Sequence, residues 1–111
     1  MDPGHAAELL GAERARIEEH LHRLEPDGDA ADEPDTGDGA ADLAERQRDL
    51  GRIEELREEL AAVERAEERL AAGTYGVSIE SGEPISDVRL ERIPTAERTA
   101  EEQSAWERNP R

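Results

Sequence analysis

A chain of 111 residues with 40% charged, 34% apolar and 2% aromatic side chains has too little apolar material for a large globular core. Its formal net charge of −16, with 14 Arg and no Lys, argues against broad contact with nucleic-acid phosphates or an anionic membrane surface. It contains no cysteine, which excludes disulfides, thiol catalysis and thiolate metal sites.

Residues 6–24, AAELLGAERARIEEHLHRL, carry a helical pattern. Leu10, Ile17 and Leu24 recur every seventh residue, with Ala7 and Leu21 on the companion seam and Arg14 interrupting it. Residues 25–39 hold two Pro, three Gly and seven acidic residues, with no base and no large apolar side chain. Like charges repel, and nothing here buries enough surface to offset ordering entropy, so an acidic loop is expected. Residues 40–72 give the clearest helix. Ile53, Leu56, Leu60, Val63 and Leu70 recur at three-and-four spacing, Leu43 and Leu50 extend the face upstream, and Gly73 suits a helix stop. Two apolar stripes joined by a polar loop should fold back antiparallel, because neither can stay exposed. The unequal lengths should leave part of the second helix unpaired or against the loop.

The turn signals GTYG and SGEP open a different region. Val77, Ile79, Ile85, Val88, Leu90 and Ile93 suit a compact knob with one or two short strands. A last short helix is expected at about 96–108, carrying Trp106. The fold class is thus mainly α. An antiparallel helical hairpin or coiled coil fills residues 1–72, and a small knob with a short C-terminal helix fills 73–111. No run reaches the length of a signal-peptide core or a membrane span, so a cytoplasmic location and no membrane partner are expected.

The segment 66–103, AEERLAAGTYGVSIESGEPISDVRLERIPTAERTAEEQ, resembles the DksA/TraR family of bacterial transcription regulators. Gly73, Tyr75, Gly76, Gly82, Glu83, Pro84, Ile85, Arg89, Leu90, Pro94 and Ala96 sit in register with that family's C-terminal pattern. The family carries a four-cysteine zinc finger there. In this chain the four positions are Ser78, Ser81, Thr99 and Glu102. Zinc takes thiolate, imidazole or carboxylate donors, usually four, and neutral hydroxyls are poor substitutes. The reading is a zinc-finger-like domain without its ligands, hence no metal and no cofactor.

The resemblance also implies an arm inserted into the secondary channel of RNA polymerase, with an acidic Asp-x-x-Asp-x-Ala tip near the active centre. DGAADLA supplies Asp38, Asp42 and Ala44, with Gly39 in the slot of the upstream Asp. The expected function is a non-enzymatic transcription regulator. It would act as a monomer, with RNA polymerase as its protein partner and no direct nucleic-acid contact. The alternative is a structural or adaptor coiled-coil protein of the same fold with a different protein partner. Enzyme chemistry has little support. Ser78, Ser81 and Thr99 have no His after His22 to act as a base, and His20 and His22 point to different helix faces. Glu54, Glu55, Glu58 and Glu59 read as a solvated face.

Overall fold

The computed structural model describes residues 1–25 and 39–110. The acidic segment 26–38, including the tip candidate Asp38, lies outside the described residues. Four helices follow in order: α1 (Pro3–Leu24), α2 (Gly39–Ala72), α3 (Asp87–Arg92) and α4 (Ala100–Arg108).

Helix α1 begins earlier than its apolar pattern does. Asp2 caps it, accepting the His5 N–H at 2.9 Å, and Pro3 sits in the first turn, where its missing N–H costs nothing. Helix α2 ends in a Schellman motif. Gly73 adopts φ +80°, its N–H donates to the Leu70 carbonyl at 3.2 Å, and the Thr74 N–H donates to the Arg69 carbonyl at 2.8 Å. A residue with a Cβ resists that left-handed conformation, so glycine fixes where the arm stops.

The two long helices pack antiparallel. Ile17 and Leu21 of α1 bury against Ile53, Leu56 and Val63 of α2, with Leu24 and Leu60 at the edges. Full burial of such a side chain contributes about 1.5–3 kcal/mol, so this seam is the main source of arm stability. Small Ala6 and Ala66 are also fully buried, along with Leu10. Arg14 does not break the seam as its spacing suggests. Its guanidinium crosses to α2, where Nη2 donates to Glu67 at 2.6 Å and Nε at 3.3 Å, with Glu64 at 3.8 Å. Arg16 reaches Glu59 at 3.5 Å, and Glu25 pairs with Arg57. Partners on α2 thus descend in number as those on α1 rise, which sets the antiparallel register.

That register leaves residues 39–52 of α2 beyond the end of α1, an overhang of about 20 Å at 1.5 Å per residue. Leu43 and Leu50, expected to extend the buried face, are instead 56% and 55% exposed. No α1 residue lies opposite them.

The knob differs from its sequence pattern in three ways. Among the described residues, the expected strands reduce to one antiparallel bridge, Val77 to Pro84. Residues 87–92 form helix α3 instead, capped by the Ser86 hydroxyl, which accepts the Arg89 N–H at 3.2 Å. The last helix starts at Ala100, not 96, because Pro94–Arg98 run as a linker against the turn. Of the six apolar residues expected inside, Ile85 and Leu90 are buried with Ala96, and the half-buried Met1 and Tyr75 pack against them. Val77, Ile79, Val88 and Ile93 face outward, since one short helix and one bridge cannot cover both faces of the segment. Tyr75 donates its hydroxyl to the Pro94 carbonyl at 2.8 Å, and burial pushes its phenol up from the ordinary tyrosine value.

Candidate functional site

Two regions hold the residues singled out above. The first is the start of α2. Asp42 lies in its first turn, where a negative charge suits the helix dipole. Asp42 Oδ2 is shielded from solvent and has no hydrogen-bond partner among the described residues. Ala44 and Leu43 are exposed on the next positions. Asp38 is outside the described residues, so its relation to Asp42 is not part of this geometry.

The second is the knob, where Ser78, Ser81, Thr99 and Glu102 come together although two lie in a turn and two at the start of α4. Ser78 is buried. Its Oγ accepts the N–H groups of Glu80 at 3.0 Å and Ser81 at 3.2 Å, and its carbonyl accepts the Gly82 N–H at 2.9 Å. The Ser81 Oγ accepts the Glu83 N–H at 3.2 Å. Gly82, at φ +75°, lets the chain reverse so that Ser78 N–H meets the Glu83 carbonyl at 2.8 Å. On the other side, Thr99 and Glu102 form a capping box. The Thr99 Oγ1 accepts the Glu102 N–H at 3.1 Å, and the Glu102 carboxylate accepts the Thr99 N–H at 2.9 Å. The Ser78 and Ser81 hydroxyls, followed by the Thr99 N–H, hold the Glu102 carboxyl down at about 2. A serine hydroxyl has one proton and two lone pairs. At Ser78 the hydroxyl oxygen accepts two backbone N–H groups.

Backbone and ion pairs bring these two strips of chain together. The Ile79 N–H donates to the Glu97 carbonyl at 2.9 Å, and Arg98 Nε donates to Glu80. The Arg98 guanidinium stacks 4.3 Å from the Trp106 ring centre. Arg89 Nε donates to the Arg98 carbonyl at 2.9 Å. Glu97 then ties the knob to the arm. Its carboxylate takes Arg65 Nε at 3.0 Å and Arg69 Nη1 at 2.9 Å, both from α2. Burial works to raise the Glu97 carboxyl, and the two guanidiniums outweigh it and hold it below the ordinary value. His5 on α1 pairs with Glu91 on α3, and the Met1 amino group lies 3.3 Å from Asp87, so the first turn of α1 also rests on the knob.

Sequence reading missed Arg65, Arg69 and Glu97, whose partners lie 28–32 residues apart with no local pattern to join them. The capping box was legible as Thr-x-x-Glu, a signature of a helix start.

The four positions do not fit zinc. Three carry neutral hydroxyls, and the lone pairs of Ser78 are already directed at backbone N–H groups. One carboxylate is the sole anionic donor, against the usual four zinc ligands. Among the described residues, no group of three or more His, Asp or Glu side chains stands close enough to hold a metal ion. None of the helices described is long and apolar enough to cross a membrane.

The described residues thus form a two-helix arm, α2 running past the end of α1, seated on a small turn-and-helix knob. No protein-family model matches the chain. Among curated proteins, it is 35% identical over 77 residues to the RNA polymerase-binding transcription factor DksA of Caulobacter vibrioides, covering 69% of this chain and 54% of that one. It is 40% identical over 65 residues to the uncharacterized protein YteA of Bacillus subtilis, covering 59% of this chain and 27% of that one. The chain therefore spans about half the length of the Caulobacter relative and about a quarter of the Bacillus one. Among solved structures, transcription factor DksA2 from Pseudomonas aeruginosa matches with a TM-score of 0.77 and 34% identity, over 96% of this chain and 83% of that one. The chain belongs to the DksA/TraR family.

Proposed function

We propose that this chain is a non-enzymatic transcription regulator that binds RNA polymerase through its helical hairpin. The α2 overhang would enter the secondary channel, with Asp42 and Ala44, and Asp38 upstream, forming the tip. The observation that carries this reading is the match to DksA2 along nearly the whole chain, arm and knob together. The name of the Caulobacter relative, an RNA polymerase-binding factor, supports this choice of partner. The geometry is compatible. The overhang gives α2 a reach of about 20 Å past the end of α1, and Asp42 stands near its end. A carboxylate there would act electrostatically on a catalytic Mg²⁺ or on nearby polymerase elements.

The test uses RNA polymerase purified from the same organism. The wild type and Asp42→Asn should bind alike, and Asp42→Asn should lose the effect on transcription in a reconstituted assay. Absence of wild-type binding would overturn the proposal. Gly39, standing in the slot of the family's upstream tip Asp, favours a second reading: an adaptor of the same fold serving another protein partner. Recovery of a partner other than polymerase, with no transcriptional effect, would select it.

A further inference from the structure

We propose that Glu97 sets the direction of the arm on the knob, by clamping Arg65 and Arg69 of α2 to a carboxylate that the knob itself holds in place. Among the described residues, the arm joins the knob covalently only through the turn at Gly73. Such a turn fixes where α2 ends, but rotation about φ and ψ leaves the helix direction to non-covalent contacts. A rod needs two footholds to hold one direction, since a single foothold is a pivot. The first turn of α1 supplies one foothold, with His5 beside Glu91 and Met1 against the knob core. Glu97 supplies the other, on α2.

The clamp is made of fixed parts. Glu97 Oε2 accepts Arg65 Nε at 3.0 Å and Arg69 Nη1 at 2.9 Å, and Oε1 accepts Arg65 Nη2 at 3.4 Å. The two arginines stand four residues apart, so both reach from one face of α2. The forked Arg65 contact with both carboxylate oxygens resists twisting as well as stretching. Behind the carboxylate, the Glu97 carbonyl accepts the Ile79 N–H at 2.9 Å. Ala96 packs in the knob core with Ile85 and Leu90, and Arg98 pairs with Glu80. The acceptor thus belongs to the knob and the donors to the arm.

Burial decides which foothold is the stronger ion pair. His5 and Glu91 are both half-exposed, and pairs of that kind contribute little. Arg69 and Glu97 are only 16% and 18% exposed, so water and salt screen them far less. Arg69 Nη2 is shielded from solvent and has no hydrogen-bond partner among the described residues. Glu97 is therefore the anion that compensates this guanidinium. Without that charge the guanidinium gains by reaching water, and its way out opens the seam between α2 and the 94–98 linker. Glu97 is a positioning residue. In the polymerase reading its effect is to aim Asp42 relative to the knob. The measurement below needs no polymerase, so this inference and that reading fail separately.

The chain has no cysteine, so Glu58→Cys on α2 and Val88→Cys on α3, both at exposed positions, take spin labels at those two sites alone. Pulsed electron–electron resonance reads the distance distribution between them, and circular dichroism reads helix content in the same samples. The otherwise wild-type chain should give a single narrow peak. Glu97→Gln keeps the side-chain size and removes the charge, and the narrow peak should be lost to a broad distribution with helix content retained. Arg65→Gln leaves Arg69 paired and should broaden the peak less. Arg57→Gln breaks an ion pair within the arm, with Glu25, and should leave the peak as it is. A peak in folded Glu97→Gln as narrow as in wild type would overturn the proposal. So would equal broadening by Arg57→Gln, since the arm would then be loosened by any lost ion pair. Should Glu97→Gln lose helix content, Arg65→Gln decides, and an unbroadened peak there overturns the proposal.

Discussion

Truncating Leu56 to Ala tests the register of the arm directly. Leu56 is fully buried between Ile17, Leu21, Ile53 and Val63, so the substitution removes packed methyl groups and leaves a cavity that a two-helix seam cannot refill. Buried Leu→Ala changes cost about 3 kcal/mol. For 111 residues an unfolding entropy of about 2.1 cal/mol/K per residue converts this into a fall of about 13 °C in Tm. Leu50 belongs to the same sequence stripe but is 55% exposed on the overhang. Leu50→Ala should cost less than about 0.5 kcal/mol, or about 2 °C. Circular dichroism melts at 222 nm, with urea titrations to check that the m-value is unchanged, read both. Equal losses from the two variants would refute the register. They would mean either that α1 pairs with a more N-terminal stretch of α2 or that another surface covers the overhang in solution.

Two more outcomes follow from local geometry. Gly73→Val forces a β-branched residue into φ +80°, and should destabilise by about 2 kcal/mol in thermal melts, whereas Gly51→Ala, in the open middle of α2, should stabilise by up to about 1 kcal/mol. The second concerns pH. Glu102 has a folded value of about 2 against an ordinary value of 4.5, so its ionised form favours the fold. That contribution is fully present above about pH 4.5 and is lost as pH falls toward 2. The Tm gap between wild type and Glu102→Gln should therefore be constant from pH 5 to 8 and close on acidification. A gap that widens below pH 4 would contradict the assigned shift.

Much of this architecture is legible in the sequence. The stripe from Ile53 to Val63 needs cover from water, and α1 offers the complementary face. Gly73 announces the end of α2 because a left-handed residue is needed there. The register of family residues from Gly73 to Ala96 identified the knob by pattern. The spacing of Ser78, Ser81, Thr99 and Glu102 marked a cluster, though not its chemistry. Where periodicity misled, the reason is that it records which residues are able to be buried. It does not record whether anything lies opposite, so Leu43 and Leu50 read like Leu56. In the knob, Val88 and Ile93 read as core for the same reason.

Sequence by itself determined the two long helices, their order and the exclusion of thiolate chemistry, because helix periodicity, caps and residue types act within a few positions of the chain. Tertiary structure alone decided how far α1 runs along α2 and that the 78–83 turn and the start of α4 lie side by side. It also decided that Arg65 and Arg69 meet Glu97. Those outcomes depend on distances between residues remote in the chain, and only the packed fold sets such distances.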